Sequence, residues 1–187
     1  MKLGPVEDQS AYIEAVDASI GVRLPRSYLA QGRSTGLTSG NTLVGAFTVI
    51  TRPAFRSLMQ LPNRTFIETA VRGLNGRVVE ANGLFLQPEV RDPRTIIAFW
   101  SALVLELRRV DATFVLFSYA ADSKKLHRFY APVKPFALYV GPVRTLEGMS
   151  GPDVERVSLT SVSNIAATIT SRAWLDRRIA TRNEVSP

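Results

Sequence analysis

The sequence predicts an α+β fold, a mixed central β-sheet flanked by helices, and three observations carry that expectation. From Val78 to Val140 the chain reads as strand, basic turn, apolar helix, strand, short helix, strand. Upstream, two strand-like runs flank a Gly- and Ser-containing stretch, as a hairpin would. The chain's 187 residues suffice for one good core, and no stretch resembles a linker between two domains.

Near the N-terminus, Tyr12, Ile13, Val16 and Ile20 recur at helical spacing, and Gly21 is placed to end that helix. From Ser27 a strand-like "SYLAQGR" leads through "STGLTSGN" to "TLVGAFTVI", whose length and β-branched content suit a strand. Arg52 to Gln60 reads as a short helix before Pro62, and "NRTFIETAVRGLNG" is ambiguous between helix and irregular structure. Asn75-Gly76 signals a tight turn into the strand at Val78. In that strand, "VVEANGLFLQP", the apolar run Leu84-Phe85-Leu86 stops at Pro88, which suits burial on both faces.

After the turn Glu89–Arg94, Ile96, Ile97, Trp100, Leu103, Val104 and Leu107 mark a buried helix, with Arg108 and Arg109 favoured at the negative end of its dipole. "ATFVLFSYA" from Ala112 is a second buried strand, and Asp122-Ser123-Lys124-Lys125 starts a short helix carrying Leu126, Phe129 and Tyr130. That helix ends before Pro132, and "FALYVGPV" is expected as the last strand. Beyond Gly151-Pro152 a C-terminal helical appendage is expected, with Ser163 as cap and Ile165, Ile169, Ala173 and Ile179 on its apolar side. The expected division is therefore a domain over 1–150 and a helical extension over 151–187 packed on it.

Composition removes several chemistries. With no cysteine and one histidine, His127, the chain has no thiol nucleophile, disulfide, thiolate metal site or multi-histidine centre, so no metal is expected. The longest uncharged apolar run, Thr95 to Leu105, is far short of the ~20 residues that span a bilayer, and no signal peptide is evident, so the default location is cytoplasmic. The net charge of +7 is concentrated: residues 21–77 hold Arg23, Arg26, Arg33, Arg52, Arg56, Arg64, Arg72 and Arg77 against Glu68 alone. This segment is either a solvated basic face or a surface for a phosphorylated cofactor, an acidic protein or nucleic acid.

The order from Gly40 to Val143 resembles the GNAT acyltransferase superfamily. The pieces are "TLVGAFTVI", "VVEANGLFLQPEVRDPRT", "IIAFWSALVLELRR", "ATFVLFSY", "SKKLHRFYAP" and "FALYVGPV". Leu86-Gln87-Pro88-Glu89-Val90-Arg91 looks like the family's "V-x-P-E-x-R", and Phe129-Tyr130 like its tyrosine before the last strand. The family's R-x-x-G-x-G/A turn, whose glycines let backbone approach the pyrophosphate of coenzyme A, falls on Arg91, Arg94 and Ile96 here. The resemblance thus implies a GNAT-like sheet and a thioester donor, acyl-CoA or an acyl carrier protein. Leu86, Arg91, Arg94 and Thr95 are the implied donor-binding positions, and an acidic carrier would meet the arginines of 21–77. A branch of similar fold, the acyl-homoserine lactone and N-acyl amino acid synthases, also lacks the glycine loop and shares a strand glutamate with Glu80.

Acyl transfer to an amine needs a base for the ammonium proton and an acid for the leaving thiolate. Glu80, beside the expected gap in the sheet, is the candidate base, the alternative being a carboxylate in solvent or paired with an arginine. Tyr130 is the candidate acid, the alternative being a buried structural tyrosine. His127 is expected on the surface. The leading expectation is an acyltransferase moving an acyl group from a thioester to an amine. The alternatives are a catalytically degenerate GNAT-like domain that binds a ligand or partner, and a basic protein interacting with nucleic acid or tRNA.

Overall fold

The computed structural model describes residues 1–149 and 154–171. Its frame is a seven-stranded mixed sheet in the order β1-β2-β3-β4-β5-β7-β6, built from β1 (Lys2–Pro5), β2 (Gly32–Ser39), β3 (Thr42–Ile50), β4 (Val78–Leu86), β5 (Phe114–Ala120), β6 (Phe136–Pro142) and β7 (Val154–Ser161). On one face lie α1 (Gln9–Ile20), α2 (Arg26–Leu29), α3 (Arg56–Met59) and α4 (Arg64–Arg72). On the other lie α5 (Pro93–Arg109) and α7 (Val162–Ile169), while α6 (Lys124–Tyr130) runs between β5 and β6 and brings Phe129 to that second face. No described helix is long and apolar enough to cross a membrane.

Alternation along the strands supplies a core on each side. Ala46, Ile50, Phe85, Leu116, Val157 and Leu159 join α1 through Tyr12 and Val16. Phe47, Val49, Val79 and Val115 meet Ile96, Phe99, Leu103 and Leu107 of α5. The first helix begins where Asp8 accepts from the backbone N–H of Ser10 and Ala11 and ends at Gly21, in the left-handed conformation at φ 69°. The helix expected from the apolar spacing after the basic turn spans Pro93–Arg109, with Asp92 as its cap and Pro93 in its first turn.

The structure corrects several local expectations. "SYLAQGR" is not a strand: Arg26–Leu29 is a single helical turn that follows Pro25, with Tyr28 and Leu29 both buried. The second strand is instead the Gly- and Ser-containing Gly32–Ser39, which turns at Gly40 into β3. Lys2–Pro5, which carried no strand signal, pairs with β2. The ambiguous segment after Asn63 is a helix.

"FALYVGPV" is not the last strand. Val154–Ser161, assigned by sequence to the helical extension, inserts between β5 and β6 and is hydrogen-bonded to both. Its Val157 and Leu159 enter one core while Ser158 and Thr160 are buried on the opposite side, a period of two that a helix would scatter. The C-terminal helix does follow, carrying Ile165 and Ile169, but its cap is Ser161, which accepts from the Asn164 N–H at 3.1 Å. Ala173 and Ile179 lie outside the described residues.

The sheet is continuous except at its middle. Parallel pairing of β4 and β5 is limited to Val78–Glu80 against Phe114–Leu116, although both strands run on. Opposite Phe47, β4 carries an extra residue, a bulge at Gly83-Leu84, where Gly83 has φ +58° and a Cβ would lie 2.2 Å from the Tyr12 hydroxyl. Only glycine meets both demands. From Ala81 and Phe117 onward the two strands part, leaving a gap between two well-packed halves.

Candidate functional site

A cavity of about 260 Å³ occupies that gap. Ala81, Asn82 and Gly83 form one lip and Phe117, Ser118 and Tyr119 the other. Because it passes between strands, the cavity reaches both faces of the sheet. Toward α5 and α7 its wall is apolar: Trp100, Leu103, Ile165 and Ile169, with Phe129 and Tyr130 from α6. The aromatic rings form a continuous series, since Tyr130 lies 4.7 Å from Phe117, 4.9 Å from Tyr119 and 4.7 Å from Phe129, and Phe129 lies 5.6 Å from Trp100. Toward α3 the wall is polar and charged, from Arg56, Ser57, Gln60 and Glu155.

Glu80 stands beside this polar end but does not line it. Its carboxylate is fully buried and accepts from four donors. The backbone N–H and hydroxyl of Ser57 donate to Oε1 at 2.8 and 2.5 Å, and the Arg56 N–H donates to Oε2 at 2.8 Å. The Tyr28 hydroxyl also donates to Oε2. Burial pushes the Glu80 carboxyl upward, and these bonds oppose the push. Burial and the neighbouring carboxylate push the Tyr28 hydroxyl upward as well. With its acceptor positions filled, Glu80 ties β4 to α2 and α3 and has no lone pair for the proton of an incoming ammonium.

Arg56 is 8% exposed, a rare degree of burial for arginine. It donates to the Glu147 carbonyl at 2.8 Å and lies 5.7 Å from the centre of the Tyr28 ring. Burial lowers its pKa, and Tyr28, Glu80, Glu147 and Glu155 counteract that. Gln60 and Glu155 are likewise buried, and the Gln60 amide donates to Glu155 Oε2. These three residues were not singled out in the sequence. For Glu155 the signal was present, the alternation of Val157 and Leu159 with Ser158 and Thr160; for Arg56 and Gln60 nothing local distinguished them from a surface turn.

The expected donor positions behave differently. Leu86 pairs with Gly45 and does not line the cavity, and the Gln87 N–H is spent on the Val44 carbonyl at 2.8 Å. Arg91 and Arg94 are exposed at the start of α5. Thr95 gives both donors to Asp92, its N–H at 2.8 Å and its hydroxyl at 2.6 Å, and these bonds hold the Asp92 carboxyl below its usual range. A protein carboxylate therefore stands where a helix N-terminus would otherwise receive an anion. Tyr130 does line the cavity, among the aromatic rings. His127 is exposed, with Nδ1 3.4 Å from the Tyr119 hydroxyl.

The arginines of 21–77 are dispersed rather than gathered. Arg23 pairs with Asp17, Arg33 with Glu106 and Arg64 with Glu68, and of the segment only Arg56 reaches the cavity. Among the described residues no group of three or more histidine or acidic side chains is placed to hold a metal ion.

No protein-family model and no curated protein matches this chain. Solved structures do. FeeM, an N-acyl amino acid synthase from uncultured soil microbes, superposes with a TM-score of 0.67 at 12% identity, over 89% of this chain and 98% of its own. The ribosomal-protein-S18-alanine N-acetyltransferase of Escherichia coli gives 0.54 at 9% identity, over 86% and 93%. A GNAT family acetyltransferase from Elizabethkingia anophelis, solved with acetyl-CoA bound, gives 0.54 at 9% identity, over 86% and 97%. At these identities the likeness is one of fold. The seven-stranded mixed sheet with its flanking helices matches the GNAT fold.

Proposed function

We propose that this chain, which has the GNAT fold, is an N-acyltransferase that moves an acyl group from a thioester to the amine of an amino acid. The observation that carries the reading is the single cavity that joins an apolar, aromatic wall to a buried charged end. An acyl chain suits the side of Trp100, Leu103, Ile165 and Ile169, since each methylene withdrawn from water contributes about 0.8 kcal/mol. The Arg56 guanidinium suits the carboxylate of an amino acid acceptor at the other end. The fold likeness to an N-acyl amino acid synthase supports the same acceptor class.

The donor is an acyl-CoA or an acyl carrier protein, both of which present the thioester on a phosphorylated arm. Asp92 opposes a phosphate at the α5 N-terminus, so in this reading the phosphate contacts pass to the side chains of Arg91 and Arg94. An acidic carrier would add contacts to exposed arginines such as Arg52, Arg72 and Arg77. Tyr130 is the proposed proton donor to the leaving thiolate.

The chain has no cysteine, so a thiol reagent reports only the thiol released from the donor. Decanoyl-CoA and a decanoyl carrier protein, each with a mixture of the protein amino acids other than cysteine, are expected to yield amino-acid-dependent thiol release. A donor at a hundred times its Kd should also raise the melting temperature, by roughly 5–10 °C. No release with either donor would overturn the transferase reading. A melting shift without release would instead favour a GNAT-fold domain that binds and does not transfer, for which the Asp92 cap is the specific observation.

A further inference from the structure

We infer that Glu155, held by Gln60, is the catalytic base of this cavity, an assignment that rests on the acyltransferase reading above. Glu155 enters the site from β7, where its backbone pairs with Ala120 of β5 and Gly141 of β6. It lines the cavity although only 6% of its surface is exposed. Among the described residues its one hydrogen-bond partner is the Gln60 amide, on Oε2, so Oε1 keeps its lone pairs for a ligand. Glu80, the base expected from the sequence, has the reverse arrangement: donors on both oxygens and no place in the cavity wall.

Gln60 is fitted to hold a base without quenching it. It is 2% exposed, and its backbone closes α3 by donating to the Arg56 carbonyl at 3.3 Å and accepting from the Arg144 N–H at 2.8 Å. Its amide is neutral, so it orients the carboxylate while leaving its charge in place, whereas a lysine or arginine there would form an ion pair. A buried carboxylate with one neutral partner is a costly arrangement for stability alone. Arg56 is near enough to interact electrostatically with Glu155 but directs a guanidinium N–H to Glu147 instead.

In the step assigned here, Glu155 Oε1 takes one proton from the acceptor's ammonium. The freed nitrogen pair attacks the thioester carbonyl carbon, forming the C–N bond as the carbonyl pair moves onto oxygen. Collapse then breaks the C–S bond, and its electron pair leaves on sulfur. The second nitrogen proton passes to that sulfur, through Tyr130 in the reading above. Glu155 returns its proton to solvent, so each turnover yields an amide, a thiol and one proton.

The test compares two acceptors with decanoyl-CoA or decanoyl carrier protein as donor: a mixture of α-amino acids without cysteine, whose amines are protonated, and hydroxylamine, which is largely uncharged at neutral pH and whose direct reaction with the thioester is subtracted as the protein-free rate. Glu155→Gln is expected to lower kcat with the amino acids by roughly 10²–10⁴-fold with little change in the donor KM, and hydroxylamine to bring turnover back to within about tenfold of wild type. Gln60→Met, which leaves the carboxylate but frees it, should lower kcat about tenfold and raise the hydroxylamine preference in the same sense. Should Glu155→Gln fail to fold, Glu155→Asp and Gln60→Met carry the test through that preference. Wild-type turnover of amino acids in these variants, or a folded Glu155→Gln equally slow with both acceptors, would overturn the assignment alone. No thiol release by the wild-type protein above the protein-free rate with either acceptor would overturn the acyltransferase reading, and the base with it.

Discussion

The amide of a glutamine at position 80 could not repeat what the carboxylate does. In Glu80→Gln the Tyr28 hydroxyl can turn to accept from the new amide, but the Arg56 backbone N–H on the same side cannot. An unsatisfied buried donor costs about 1–3 kcal/mol, so the variant should unfold at lower urea concentration and melt several degrees lower. The pH dependence has a definite sign. Burial raises the native pKa above the unfolded value of about 4.3, so Glu80's contribution is complete below that value and declines as pH rises through the native pKa. The stability difference between wild type and Glu80→Gln should be largest in mild acid and narrow toward alkaline pH; a difference that widens with pH would contradict the burial argument. Glu80 was legible as a strand carboxylate beside a gap. Its donors were not, because Tyr28, Arg56 and Ser57 lie 52, 24 and 23 residues away in sequence.

At the scale of elements, the α5 N-terminus is where the proposed phosphorylated donor meets Asp92. Asp92 caps the helix through Thr95 and brings its charge to the place an anion would take, with Arg91 and Arg94 beside it. Asp92→Ser keeps a capping oxygen and removes the charge. The expected result is a roughly two- to fivefold lower KM for decanoyl-CoA with kcat little changed, read from the thiol-release assay. The helix itself was plain in sequence, because its apolar spacing is long and a proline follows the cap. Strands were less evenly legible. Long apolar runs in β3, β4 and β5 declared themselves, whereas β2 was hidden by glycines and serines and β7 by Ser158 and Thr160, whose burial depends on neighbours that the sequence does not place.

Across the whole molecule, the parting of β4 and β5 lets one cavity draw on both faces of the sheet, so that α3 and α7 line it from opposite sides. Ile165 of α7 is therefore a reporter for the proposed acyl side. Ile165→Phe should fill space at the apolar end and lower kcat/KM for long-chain donors roughly tenfold more than for acetyl-CoA, as overpacking of 1–3 kcal/mol would. Equal effects on both donors would place the chain elsewhere. By itself the sequence determined the α+β class, the strand–helix–strand order of the middle of the chain and the lack of a cysteine thiol, because periodicity and composition are local properties. Tertiary structure alone decided that β7 separates β5 from β6, that Glu80 is saturated with donors, and that Arg56, Gln60 and Glu155 share a buried wall. Those facts depend on which strand edges meet and on contacts across scores of residues, such as the 95 between Gln60 and Glu155, and long-range pairing of that kind leaves no period in the chain.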